Sequence, residues 1–281
     1  MKFRVACELS YNVKAATTFI FNIQAAHTPV QKVLEEQLLT TPAHLKTEIF
    51  VPGTGQARCV RLHVSQPGLF KINYNALVSL SPKAVHTEKL PRETDITKMD
   101  TAAVPYLFPS RYCQVDRLYK FAEKEFGHFK SDYEKITGIC NWIYRKVDYT
   151  TGSTNASTAA IDTIAQREGV CRDFAHLGIA LCRALSIPAR YYAGYAYRLV
   201  PQDFHACFEA YIGKQWILFD ATRLVPNHGL IRISHGYDAA DTSFANIYGD
   251  AESMEVIVSC DALDPKGFDK QAARYTTVSY G

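Results

Sequence analysis

The chain has 281 residues, of which 47% are hydrophobic and 21% charged, and a formal net charge of +3. That is ample material for a globular core, in one large domain or two modest ones. A nearly neutral chain with no basic run is not expected to take nucleic acid or an anionic membrane as its partner. Eight cysteines, at 7, 59, 113, 140, 171, 182, 207 and 260, follow no repeated spacing. In a chain this long they read as reduced thiols in a reducing compartment, not as a disulfide framework. There is no C-x-x-C pair, so zinc is a weak alternative and neither a metal nor a cofactor is expected. The stretch MKFRVACELSYNV lacks the continuous apolar core of a signal peptide, and no run of about 18 apolar residues offers a membrane span. A soluble, cytoplasmic protein is expected, its oligomeric state left open.

The first hundred residues read as β structure. Phe3, Val5, Cys7 and Leu9 alternate with more polar neighbours, Phe19 to Ile23 is β-rich, and Cys59 to Val64 and Leu69 to Leu80 continue the pattern. Pro52-Gly53, Gly55 and Pro67-Gly68 interrupt it. A β-sandwich over residues 1–108 is the simplest assembly, with a scaffold role. From Ser81 to Ser110 the chain turns polar and carries Pro82, Pro91, Pro105 and Pro109, which places a domain boundary there and a second domain over 109–281. Asp116 to Phe126 reads as a helix. Ser131-Asp132-Tyr133-Glu134 is a capping box opening another, with Ile136, Ile139, Cys140, Ile143 and Val147 as its apolar stripe. A small polar loop, Tyr149 to Asn155, then leads to a short helix from Ser157 or Thr158 to Arg167.

Gly169-Val170-Cys171-Arg172-Asp173 comes next, where a cysteine follows a glycine turn and opens an apolar helix. Free backbone N–H groups and the positive end of the dipole lie at a helix start, and both favour a thiolate, so Cys171 reads as a nucleophile. Phe174, Leu177, Gly178, Leu181 and Leu185 recur at helical spacing, predicting one buried stripe and a stop near Ser186, before Ile187-Pro188. A lone cysteine on such a helix usually packs, as Cys182 is expected to. Cys171 differs because a histidine and a carboxylate stand downstream where a thiol–imidazole–carboxylate mechanism needs them.

Arg190 to Tyr197 predicts a tyrosine-rich strand, more of it core than substrate groove. In DFHACFEAYIGKQWILFDATR, residues 203–223, His205, Cys207, Glu209 and Tyr211 alternate as a strand. Gly213-Lys214 predicts a type II′ turn, and Gln215 to Asp220 the returning strand. With those two residues in the loop, Ile212 faces Gln215 and His205 is the diagonal neighbour of Asp220 on one face, within reach of it. Further on, His228 and His235 read as solvated loop histidines, Met254 to Cys260 as a late strand, and the residues from Asp261 as a loose tail.

GVCRDFAHL, the run IPARYYAGY, and DFHACFEAY with W-x-x-FDATR together resemble the bacterial transglutaminase-like proteins, of the papain-like cysteine-enzyme superfamily. The resemblance extends to SRYCQVDRL at 110–118 and to Gly236-Tyr237-Asp238-Ala239-Ala240-Asp241. It implies an α+β fold, a helix carrying the cysteine packed on an antiparallel sheet carrying histidine and aspartate, behind an N-terminal all-β sandwich. It also implies Cys171 as nucleophile, His205 as general base and Asp220 as orienting carboxylate. Cys207, Ala221 and Tyr237 stand where the family often has tryptophan, proline and arginine; no catalytic atom is lost.

The expected chemistry is acyl transfer. A Cys171 thiolate would attack an amide or peptide carbonyl, His205 would protonate the leaving amine, and an amine or water would resolve the thioester. The Cys171 backbone N–H is one natural oxyanion donor, with Tyr149 and Asn155 as candidates for a second. The expected partner is a peptide, a protein side-chain amide or a small amide. The alternative is a non-catalytic binding or assembly module retaining the fold.

Overall fold

The computed structural model describes residues 1–52 and 57–281, so Gly53 and Gly55 lie outside the described residues. From Lys2 the chain lays down β1 (Lys2–Val13), β2 (Thr17–Phe21), β3 (Gln31–Thr41), β4 (Thr47–Phe50), β5 (Cys59–Val64), β6 (Gly68–Leu80) and the two-residue β7 (Lys83–Ala84). A helical stretch follows, α1 (Tyr119–Phe126), α2 (Asp132–Lys146), α3 (Ala160–Gln166) and α4 (Cys171–Ala184), with β8 (Asp148–Tyr149) and β9 (Glu168–Gly169) between its members. Then come β10 (Ala189–Ala196), β11 (Phe204–Ile212), β12 (Gln215–Phe219), β13 (Leu230–Gly236), β14 (Ala245–Tyr248), β15 (Ala251–Ala262), α5 (Pro265–Gln271) and β16 (Val278–Ser279).

Alternation in β1 does what it predicts: Phe3, Val5, Cys7 and Leu9 are buried. Two four-stranded sheets, ordered β15-β1-β6-β3 and β14-β2-β5-β4, share one apolar core. At one end of it Tyr11 and Phe70 each place their rings 5.0 Å from Phe19. The late strand expected at 254–260 is therefore β15, and it belongs to these N-terminal sheets, antiparallel to β1 with Cys7 opposite Val258. In return, β7 joins the other sheet. The chain crosses the expected 108/109 division in both directions. β3 has no clear hydrophobic alternation because it is a sheet edge with most of its side chains in solvent.

A separate six-stranded sheet runs β13-β10-β11-β12-β16-β7. On it lies α4, whose residues from Asp173 to Ala184 are all buried. One buried stripe is what the periodicity predicts; burial is all round because α1, α2 and α3 cover the face that the sheet leaves open. Gly178 allows the close approach, since a Cβ there would stand 2.5 Å from the Phe208 ring on β11. Behind β11, the Glu209 carboxylate takes Arg190 at 2.6 Å and also Arg232, tying β10, β11 and β13 together in a dry layer. Removing one partner of such a buried group costs about 3–5 kcal/mol.

Other expectations are corrected. The β11–β12 turn has positive φ at both Gly213 (59°) and Lys214 (64°), which makes it type I′, not II′; the twist of the strands accommodates either primed form. The pairing of Ile212 with Gln215 is as expected. The chain beyond Asp261 is not a loose tail: Phe268 and Tyr280 are buried, and β16 fills the gap between β12 and β7. A two-residue strand has no periodicity to read. His228 is buried under Phe268, ring centroids 4.1 Å apart, and His235 is largely covered; burial lowers the pKa of both, that of His235 to about 2.

Candidate active site

Cys171 is the first residue of α4, after an extended Val170. The N–H of a first helical residue has no intrahelical acceptor. Asp173 fixes this end, its carboxylate accepting from the Val170 N–H at 2.9 Å and the Thr154 hydroxyl at 3.1 Å. Of the eight cysteines, all free, Cys171 alone is not buried.

The parallel pairing of β8 with β9 aligns Tyr149 with Gly169, two residues before the cysteine. The Tyr149 hydroxyl thereby lies against Cys171. Burial first, then the cysteine, raises its pKa above that of an ordinary phenol. Asn155 is not brought to the same place. It is exposed, and its side-chain oxygen accepts from the Ser157 N–H and hydroxyl at 2.8 and 2.6 Å.

His205 is the second residue of β11 and 1% exposed. Its Nε2 stands 2.8 Å from Asp220 Oδ2. Nδ1 is buried with no hydrogen bond, and the Cys171 thiol is the group beside the ring. Burial lowers the imidazole's pKa, but the Asp220 carboxylate and then Cys171 outweigh it and raise it to about 10. The hairpin thus delivers the histidine–aspartate pair from local register, and α4 sets its first residue against it.

Three neighbours had no signal in the periodicity. Thr222 donates to Asp220 Oδ1 from both its N–H, at 2.8 Å, and its hydroxyl, at 2.7 Å. The D-x-T spacing that permits this turn is visible in the sequence. Tyr112 stacks on His176 with centroids 4.9 Å apart, carries the Arg172 guanidinium 4.6 Å over its ring, and donates its hydroxyl to Ala156 O at 2.8 Å. Asp203 lies at the cleft's other side, its carboxyl pKa raised by burial. The run 236–241 is clamped as a loop: Asp241 accepts from the Tyr237 and Asp238 N–H groups, and His176 Nε2 from the Ala239 N–H at 3.1 Å. These walls enclose a cleft of about 360 Å³ at Cys171, with Tyr191 in its lining. The other strand tyrosines, Tyr192, Tyr195 and Tyr197, are core.

A cysteine-bearing helix set on an antiparallel sheet, beside a histidine and an aspartate, defines a transglutaminase-like cysteine-enzyme fold. The chain belongs to the bacterial transglutaminase-like proteins: residues 1–102 match the family described as bacterial transglutaminase, N-terminal domain, and residues 119–221 match the transglutaminase-like superfamily. It is similar to a candidate cysteine protease from Cytophaga hutchinsonii of known crystal structure, with 50% identity and a TM-score of 0.92, covering 95% of this chain and 92% of that one. It is 26% identical to an uncharacterized protein of Mycobacterium leprae, over 68% of this chain and 75% of the relative. An uncharacterized protein of Mycobacterium tuberculosis is 29% identical; the chain spans about half of that relative's length, 54%. Among the described residues, no helix is long and apolar enough to cross a membrane.

Proposed function

We propose that the protein is an acyl-transfer cysteine enzyme in which Cys171, His205 and Asp220 act as a triad. The observation that carries this reading is the buried imidazole, bonded through Nε2 to Asp220 at 2.8 Å and leaving Nδ1 for the Cys171 thiol. With Nε2–H donating to Asp220, Nδ1 takes the thiol proton, and the carboxylate stabilises the resulting imidazolium. The thiolate attacks the carbonyl carbon of an amide. The oxyanion that forms is met by the Cys171 N–H and the Tyr149 hydroxyl, which lies against Cys171. Nδ1–H then protonates the departing amine, leaving a thioester. An amine or a water, deprotonated in turn by Nδ1, attacks the thioester and regenerates the thiol. The first outcome is transamidation and the second hydrolysis. The substrate is a peptide, a protein side-chain amide or a small amide, and the eight free thiols favour a cytoplasmic setting.

The test is the rate of alkylation of Cys171 by iodoacetamide against pH, resolved by peptide mass spectrometry in the wild type and in His205→Ala. The other seven cysteines, all buried, are internal controls. Fast modification at neutral pH that drops in the variant is expected. A slow rate indifferent to His205 would sink the reading.

A further inference from the structure

Two cavities meet at Phe204 and Phe244. One is the cleft at Cys171; the other, of about 450 Å³, runs on toward the sandwich, and Asp203, Phe204, Ser243 and Phe244 line both. The rings of Phe204 and Phe244 stack 4.3 Å apart and make a saddle between them. Beyond the saddle the wall includes Ile247 of β14 and Val256 of β15, which are 37% and 49% exposed. Apolar surface is therefore offered along the groove and not sealed into the core. These two strands lie late in the chain yet complete the N-terminal sheets, so the sandwich supplies a wall of a groove that begins at the nucleophile.

The charge beside the saddle is negative. Asp203 Oδ1 accepts from the Phe204 N–H at 2.7 Å. Among the described residues no lysine or arginine forms an ion pair with it. Arg172, which also lines the cleft, is engaged by the carbonyl oxygens of Asn155 and Thr158, at 3.1 and 3.0 Å. Among the described residues, His205 is the one cation whose charge acts on Asp203, and no lysine or arginine covers the carboxylate's groove side, so it complements a positive group on whatever crosses between the reactive cleft and the apolar trough. A small amide would occupy the first cavity and leave the second unused.

We propose that the groove takes an extended polypeptide segment, with a lysine or arginine side chain against Asp203 and an apolar side chain beyond the Phe204–Phe244 saddle. The inference rests on the reading of Cys171 as the nucleophile and narrows its substrate to basic–apolar peptide sequence. Asp203 is then a specificity-determining residue, and the sandwich a substrate-binding wall.

The experiment is selection of a phage-displayed random nonapeptide library on the immobilised Cys171→Ala protein, with sequencing before and after. Expected is enrichment of lysine and arginine of about fivefold, the weight of a partly exposed ion pair, a few residues from an enriched leucine, isoleucine or phenylalanine. In Cys171→Ala/Asp203→Asn the basic enrichment disappears while the apolar one stays; in Cys171→Ala/Val256→Asp the reverse holds. A library unchanged by selection, or a basic preference that survives Asp203→Asn, overturns the proposal. Selection needs no turnover, so its failure leaves the alkylation test of Cys171 standing, and slow, His205-independent alkylation removes the nucleophile reading without altering the selection.

Discussion

Thr222 holds Asp220 twice, through its N–H and its hydroxyl, on the carboxylate oxygen that does not face His205. The carboxylate is thereby fixed in the plane that its other oxygen needs to meet Nε2. Thr222→Val keeps the backbone bond and the side-chain shape but removes the hydroxyl. A lost hydrogen bond to a charged group is worth about 1.5 kcal/mol, so alkylation of Cys171 at neutral pH should slow roughly tenfold. Thr222→Ser should restore it. An unchanged rate in Thr222→Val would mean that the backbone bond suffices.

His205 should carry its proton far above the usual range. Its pKa is raised from 6.5 to about 10, so the charged form persists through neutral pH. A folded-state value above the unfolded one contributes stability that is fully present below about pH 6.5 and lost as pH rises through about 10. The imidazole resonances should titrate with a midpoint near 10 by NMR, lower in Cys171→Ala, where the thiol's contribution is gone. Unfolding free energy should fall over the same window in the wild type, and less in His205→Gln. A midpoint near 6.5 would refute this account of the pair.

Gly178→Ala tests how α4 is seated. The new methyl would meet the Phe208 ring at 2.5 Å, and overpacking of this kind costs about 1–3 kcal/mol. Since α4 carries Cys171 and β11 carries His205, pushing the two apart should also slow alkylation. Chemical denaturation and the alkylation rate should therefore both report the substitution.

The carboxy-terminal segment should prove structural. Phe268 is 2% exposed and packs edge-on against Tyr197, centroids 4.8 Å apart, besides covering His228. Phe268→Ala should destabilise the protein by about 3–5 kcal/mol and open the chain beyond Asp261 to trypsin. Stability within about 0.5 kcal/mol of wild type is the result for a surface residue, and would show that the segment contributes nothing to the fold.

The local geometry of the candidate site was legible in its residues because it is built from short-range contacts. A cysteine after a glycine turn lands at a helix start. A histidine and an aspartate around a two-residue turn land on one face, whichever primed turn closes the hairpin. The alternation of β1 and β6 likewise fixes which side chains they bury. What the tertiary structure decided depends on contacts between distant parts of the chain. Burial of α4 on every side comes from three helices that its own periodicity cannot register. The return of β14 and β15 to the N-terminal sheets, and the seating of β16 between β12 and β7, come from edges that needed partners, not from any pattern in those segments. Asp203 was adjacent to the histidine motif throughout; only the meeting of core and sandwich puts its carboxylate on a groove that runs past the cysteine.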